Sequence, residues 1–376
     1  MSLRVTFIDQ VGGAAGGAEQ TLATFLEHVP AGITPSAILF EDGRFADRLR
    51  GIGVEVDVVP VPDAITTSKR ERLQLRAASQ VPLVALAVSR ALKRQRAELA
   101  YTNSMKAHVV GSMATRLAGV PCVMHFHDIV EGRALTALRS AARFGSRQRI
   151  ACSQAVADAI GVGGTTVIYG PIEYGSYAAL PNRADARAAL GLPAGGPLVA
   201  IVGRINRWKG HDRFVRVAAR VAAQTDAHFA IVGAPVFRDA DYVPEIVSLA
   251  ERIGVRERIT FVPWLDDVRQ IYAAANVNCN CSTREPFGRA VVEAAACGVP
   301  TVCFDDSGAA ETIVDGVTGR TIRAGDENGF ADAVIDLIRN RDTYARVSSA
   351  AREEAVRFDA PRIADEMAAV IRHAAA

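Results

Sequence analysis

Residues 282–311 of this 376-residue chain read S-T-R-E-P-F-G-R-A-V-V-E-A-A-A-C-G-V-P-T-V-C-F-D-D-S-G-A-A-E. Glu285 and Glu293 stand in this stretch with seven residues between them. The first falls in a loop closed by Pro286 and Gly288. The second falls on an apolar run, Arg289–Cys297, that reads as a helix stopping at Gly298 and feeding the strand Thr301–Phe304. A loop carboxylate accepts hydrogen bonds from hydroxyls, and N–H groups at a helix start attract an anion. With a second carboxylate farther along, such a stretch can grip a sugar, a diphosphate and a ribose together. Paired carboxylates also serve glycoside hydrolysis, so the residue types alone leave both chemistries open.

Cations suited to a diphosphate stand in Val202-Gly203-Arg204-Ile205-Asn206-Arg207-Trp208-Lys209-Gly210, between a strand and a helix beginning near His211. Arg204 offers a guanidinium fork and Lys209 a compact ammonium, with Gly203 and Gly210 bracketing the loop. Three further motifs follow strands in the first half. The loop Gly12–Glu19 reads G-G-A-A-G-G-A-E, and no placement gives the dinucleotide fingerprint G-x-G-x-x-G. Its glycines, Gly16 and Gly17 among them, let backbone approach a ligand at a helix N-terminus that favours anions. Tyr101-Thr102-Asn103-Ser104 ends a strand in small polar groups. Asn103 and Ser104 suit hydroxyl contacts and would equally cap the next helix. In His125-Phe126-His127-Asp128 the two histidines share a face. No third ligand accompanies them, so no metal is expected, and His127 reads as a polar group facing substrate.

Short apolar runs alternating with helical patterns must hold these groups in place. Strands are expected at Leu3–Ile8, Ala37–Phe40, Val54–Val59, Leu99–Thr102, Cys122–Phe126, Arg149–Cys152 and Thr166–Tyr169. A second set is expected at Leu198–Val202, Phe229–Val232, Ile259–Val262, Val277–Cys281, Thr301–Phe304 and Arg320–Ile322. Continuous apolar strands between helices predict parallel sheets covered on both faces. The reading is therefore α/β with two doubly wound domains: 1–175, a linker at 176–197, 198–357, and a closing helix at 358–376. Ligands in such sheets bind at the carboxyl ends of strands, where every motif above falls.

Composition agrees. The length exceeds one ordinary core, and 49% hydrophobic residues suit buried layers. Net charge is only +2, yet residues 60–150 hold fifteen Lys/Arg against five Asp/Glu, so the first domain has a basic face and the rest is acidic. Peripheral contact with an anionic membrane or a phosphorylated acceptor suits that face. Nucleic acid does not, because aromatic interleaving is absent. Six cysteines without a C-x-x-C pair read as buried hydrophobes in a reducing compartment. The opening M-S-L-R-V-T-F-I lacks signal-peptide architecture, and a cytoplasmic location is expected, with contact to the inner membrane face.

The motifs in order resemble those of GT-B retaining glycosyltransferases of family 4 (glycosyl transferases group 1). E-P-F-G-R-A-V-V-E with A-C-G-V-P-T-V resembles that family's E-x7-E signature, and G-R-I-N-R-W-K-G resembles its phosphate-binding loop. G-G-A-E, T-N-S, H-F-H-D and A-C-S-Q match in the first half. The resemblance implies two Rossmann-like domains facing a deep cleft, the first for acceptor and the second for a nucleotide-diphosphate sugar, with the last helix crossing back to the first domain. It implies that Arg204 and Lys209 bind the diphosphate, Glu285 the sugar hydroxyls and Glu293 the ribose. Backbone at Phe287, Gly288 and Arg289 would meet phosphate or sugar, and Val262, Pro263 and Leu265 would line the base. His127 and the Gly16–Gly17 loop would lie near the reacting centre and the acceptor, which is a small molecule, a glycan or a lipid-linked acceptor. No cofactor or metal is implied beyond the donor itself. A glycoside hydrolase using Glu285 and Glu293, and a non-catalytic protein that binds a sugar nucleotide or lipid, are the alternatives.

Overall fold

The computed structural model describes residues 2–13, 16–62, 75–235, 239 and 241–376. Ala14 and Ala15 of the glycine loop, and residues 63–74 of the basic stretch, lie outside the described residues. The chain divides into two compact units, Met1–Ile172 with Ala360–Ala376, and Glu173–Asp359.

The first unit holds seven strands: β1 (Leu3–Asp9), β2 (Ile33–Leu39), β3 (Glu55–Val58), β4 (Leu99–Thr102), β5 (Cys122–Phe126), β6 (Gln148–Ala151) and β7 (Thr165–Val167). They form one parallel sheet in the order β3-β2-β1-β4-β5-β6-β7, with Val5 of β1 between Pro35 of β2 and Leu99 of β4. Alternate residues of β1 face opposite cores. Val5 and Phe7 pack with Tyr101 and with Ile363, Met367 and Ile371 of the closing helix Ala360–Ala375. Ile8 packs with Val84, Val88 and Leu92 of the helix Leu75–Arg94 and with Val110 of the helix Met105–Ala118. A strand buried on both faces has no polar side, which is why these strands read as unbroken apolar runs.

The second unit repeats the plan with β8 (Leu198–Val202), β9 (His228–Val232), β10 (Ile259–Val262), β11 (Val277–Asn280), β12 (Thr301–Phe304) and β13 (Gly319–Ile322). Their order is β10-β9-β8-β11-β12-β13, all parallel. In each sheet the strand order reverses once, between β1 and β4 in the first unit and between β8 and β11 in the second. That reversal leaves a crevice beyond the strand ends, where doubly wound folds bind ligands.

Each expected strand is present. β2 begins at Ile33 rather than Ala37, because the ladder with β1 continues through Thr34, Pro35 and Ser36, ahead of the expected run. Residues 176–197, expected as a linker, fall inside the second unit. Arg187 explains this: its buried guanidinium donates to the Ala274 carbonyl from both Nε and Nη2, tying the segment to the unit's core. No helix among the described residues is long and apolar enough to cross a membrane.

Candidate functional site

In the second unit the loops after β8 and β11 meet at the strand-order reversal. Gly210 makes that approach close. It adopts φ +73°, and a Cβ there would stand 2.1 Å from the Cys281 carbonyl oxygen. Thr283 N donates to Trp208 O across the two loops at 2.9 Å. Asn206 accepts from Lys209 N through its side chain, fixing the turn Arg207–Lys209. The result brings together residues 76 apart in sequence: Lys209 Nζ donates to Glu285 Oε2 at 2.6 Å. Ser282 Oγ donates to the same oxygen at 2.6 Å, which leaves Glu285 Oε1 without a bond among the described residues. Lys209 Nζ also lies 4.4 Å from the Trp208 ring centre, a cation–π contact that orients the ammonium. Gly203 shapes the start of the loop at φ +149° beside the Lys209 stem. Arg204 is exposed, and its side chain has no partner among the described residues.

The second glutamate lies on the helix Arg289–Ala296, which starts at Gly288 with φ +84° and no side-chain cap. A Cβ on Gly288 would come within 2.7 Å of the Ala309 Cβ, so glycine is required there. Glu293 Oε1 accepts from Arg289 Nε at 2.7 Å, and the Tyr177 phenol hydrogen-bonds the same carboxylate. Burial, then the Glu293 charge, holds the Tyr177 phenol protonated. The loop between the glutamates is pinned by Gly308 N donating to Glu285 O at 2.8 Å. Arg284, just before Glu285, sits at φ +55°, a conformation that non-glycine residues rarely take. Of the segment after β10, Val262 is buried with its carbonyl bonded to Gly233 N, while the Trp264 ring is half exposed. Pro263 is exposed and Leu265 half-buried.

A second cluster forms in the first unit, also at its strand-order reversal. Asn103, just past β4, donates from Nδ2 to Asp9 Oδ2 at 2.7 Å and to Ala18 O at 3.1 Å. Two acceptors on that side leave Asn103 Oδ1 as the acceptor for His127 Nε2, at 2.9 Å. His127 therefore carries its proton on Nε2, and its Nδ1 presents a lone pair. Ser104 Oγ accepts from Gln10 N, and Gly16 N donates to Glu19 Oε2 at 2.7 Å, so the glycine loop is closed by its own helix. His125 is the neighbour that does not face ligand. It is fully buried, with Nδ1 bonded to the Tyr101 hydroxyl at 2.6 Å and its ring 3.9 Å from that of His127.

Four residues of these clusters carry weak sequence signals. Asp9 is the last residue of β1, and Ser282 lies three before Glu285. Trp208 and Tyr177 stand beside cation and carboxylate with nothing in the sequence to link them.

The buried histidines make stability depend on pH. Burial lowers His127 and His211 to about 4, while burial with the neighbouring His127 charge lowers His108 to about 3. His125 is held well below the usual 6.5 by burial and its two neighbours. The unfolded chain takes up these protons as pH falls below 6.5, and the folded chain does not until about 4. Stability from these groups is therefore complete above pH 6.5 and is lost as pH falls. Glu19 opposes this. Burial, and then the charges of Asp9 and Asp128, raise it to about 7, so the folded chain keeps a proton that the unfolded chain sheds above about 4.5. Asp9, raised by burial, acts in the same sense as Glu19. Four imidazoles outweigh two carboxyls, so stability should rise from pH 4.5 to 6.5, by about 1.4 kcal/mol per pH unit for each uncompensated proton, and the melting temperature with it. Calorimetry across that window checks the sign.

Comparison with known proteins resolves the family. The model for glycosyl transferases group 1 matches residues 182–354, and that for the glycosyl transferase 4-like domain matches residues 12–161. This chain belongs to the glycosyl transferases group 1 family. Relatives of this family member include the D-inositol 3-phosphate glycosyltransferase of Nocardia farcinica, 36% identical over 182 residues, which are 47% of this chain and 40% of the relative. The Mycobacterium leprae (strain TN) protein of the same description is 34% identical over 197 residues, covering 51% of this chain and 45% of the relative. The match thus spans less than half the length of these relatives. Among solved structures, Anabaena HepE in complex with UDP and glucose superposes with a TM-score of 0.86 at 28% identity, covering 99% of this chain and 100% of the other. Sucrose-phosphate synthase from Thermosynechococcus elongatus shares the fold with a TM-score of 0.79 at 20% identity, covering 99% of this chain and 98% of the other. Both units are thus of the Rossmann-like, GT-B kind.

Proposed function

We propose that the protein is a retaining, metal-independent glycosyltransferase that moves a hexosyl or N-acetylhexosaminyl unit from a nucleotide-diphosphate sugar to an acceptor hydroxyl. The Lys209–Glu285 pair at the end of β8 and β11 carries the reading. It sets an ammonium for the diphosphate beside a carboxylate whose free Oε1 can take a sugar hydroxyl. UDP is the favoured nucleotide, because HepE, at 28% identity over nearly the whole chain, is described with UDP, with UDP-glucose, and with UDP and glucose.

In this reading Arg204 and Lys209 stabilise charge as the diphosphate leaves, assisted by the uncapped helix start at Gly288 and the backbone of Phe287 and Arg289. Glu293 takes the ribose hydroxyls, and Val262, Pro263 and Leu265 flank the base. The bond from the sugar's anomeric carbon to the phosphate oxygen breaks, with its electron pair passing to the diphosphate. The acceptor hydroxyl attacks the same face and gives its proton to a phosphate oxygen. Cationic side chains supply the charge that a metal would otherwise bring. In the first unit His127, neutral and with its Nδ1 lone pair open, accepts a hydrogen bond from a ligand hydroxyl, and Asn103, Ser104, Gly16 and Gly17 complete the acceptor surface. The acceptor itself is a small molecule, a glycan or a lipid-linked acceptor.

A hydrolase built on Glu285 and Glu293 is disfavoured, since the matching families and relatives are glycosyltransferases and each glutamate is tied to its own cation. A thermal-shift panel of UDP-, GDP-, ADP- and dTDP-sugars tests the donor. The expected outcome is a selective shift with UDP-sugars, about 2.7 kcal/mol of added stability at a hundredfold excess over Kd. A shift with none of the four would remove the donor assignment.

A further inference from the structure

Three helices of the first unit, Leu75–Arg94, Met105–Ala118 and Gly132–Gly145, run side by side. Together they hold nine Lys/Arg and no Asp/Glu. The unit's helices Gly17–Glu27, Arg44–Gly51 and Ala360–Ala375 each include acidic residues. One-sided charge of this kind is a property of that face and not of the unit as a whole.

The same face carries exposed apolar side chains. Of eleven large hydrophobics exposed among the described residues, five lie on these three helices: Leu83, Leu86, Met113, Leu117 and Phe144. Leu83 and Phe144 are 71% and 73% exposed, far beyond the partial exposure of an ordinary helix flank. The arrangement is ordered. Leu83, Leu86, Arg90 and Lys93 recur at helical spacing on one exposed stripe. Arg116 Nη1 donates to Phe144 O at 2.9 Å, tying the ends of two of these helices together where Leu117, Arg143 and Phe144 are all exposed. Arg94 is neutralised by Asp57, whereas Arg90 and Lys93 have no acidic partner among the described residues.

We propose that this face docks reversibly on an anionic lipid bilayer. Exposed apolar side chains lie among cations on this face, and the three helices carry no acidic side chain. A bilayer surface accepts both features. Phe144, Leu117 and Leu83 enter the boundary between headgroups and acyl chains, while the long Lys and Arg stems lie along it and reach lipid phosphates. Surface attraction of this type is sensitive to salt and to lipid charge.

Flotation with vesicles tests it. The full chain is mixed with vesicles of phosphatidylcholine alone or with added phosphatidylglycerol, at physiological and high salt. Binding should be at least about tenfold greater on the anionic vesicles and should fall at high salt. Leu117→Glu with Phe144→Glu should lower it about tenfold on the anionic vesicles, and Arg90→Glu with Lys93→Glu should abolish the preference for anionic lipid. All four positions are exposed, so the melting temperature and donor binding should be unchanged, which separates this inference from the proposed function. Equal binding to both vesicle types, no binding to either, or binding indifferent to these substitutions would overturn it. So would a dimer in light scattering that Phe144→Glu dissolves while vesicles are ignored, since the face would then belong to a second copy of the chain.

Discussion

Lys209→Ala is expected to lower kcat/KM for donor turnover on the order of 10²-fold or more. The Lys209 ammonium is held by Glu285 at 2.6 Å, beside the Trp208 ring. When a diphosphate enters, the ammonium meets phosphate oxygens whose charge grows as the sugar departs, so its contribution is larger in the transition state than in the ground state. The substitution has a second consequence. Glu285 is buried, and without Lys209 only the Ser282 hydroxyl faces that oxygen. Breaking a buried pair from one side costs about 3–5 kcal/mol. Lys209→Ala with Glu285→Gln separates the two effects, because the double variant removes the stranded charge. It should recover much of the melting temperature and none of the activity. An unchanged kcat/KM in Lys209→Ala would remove the residue from the mechanism.

Gly210→Ala should damage the fold of the second unit severely. The added Cβ would meet the Cys281 carbonyl oxygen at 2.1 Å, and φ is +73° at this position. Backbone must move on one side or the other, and that movement separates Lys209 from Glu285. A loss of about 3–4 kcal/mol is expected, roughly 10 °C in melting temperature. Gly175→Ala is the control, since an added Cβ there meets nothing within 4 Å. A melting temperature for Gly210→Ala equal to that of the control would show that the two loops do not approach as described.

These two residues also show what sequence could and could not reveal. The strands were legible because burial on both faces of a parallel sheet writes them as apolar runs, as in Leu198–Val202 and Cys122–Phe126. β2 was half hidden, since Thr34, Pro35 and Ser36 carry ladder positions with residues that resemble a turn. Segment 176–197 looked like a linker from its Ala, Gly and Pro content, yet Arg187 buries there by bonding to carbonyls 87 residues away. The site motifs were legible as residue types after strands. Their partnerships were not: Lys209 with Glu285, and Asp9 through Asn103 to His127, are set by the strand order, which no local pattern encodes. Sequence gives Arg204 and Lys209 the same diphosphate, whereas Lys209 is paired and Arg204 is exposed without a partner among the described residues.

Release of UDP from UDP-glucose by the full chain in the presence of EDTA tests the account most directly. The account predicts UDP release without added metal, an α-configured glucosyl product, and loss of both in Lys209→Ala. Cleavage of an aryl glucoside with no nucleotide present, together with no turnover of any UDP-, GDP-, ADP- or dTDP-sugar, would contradict it.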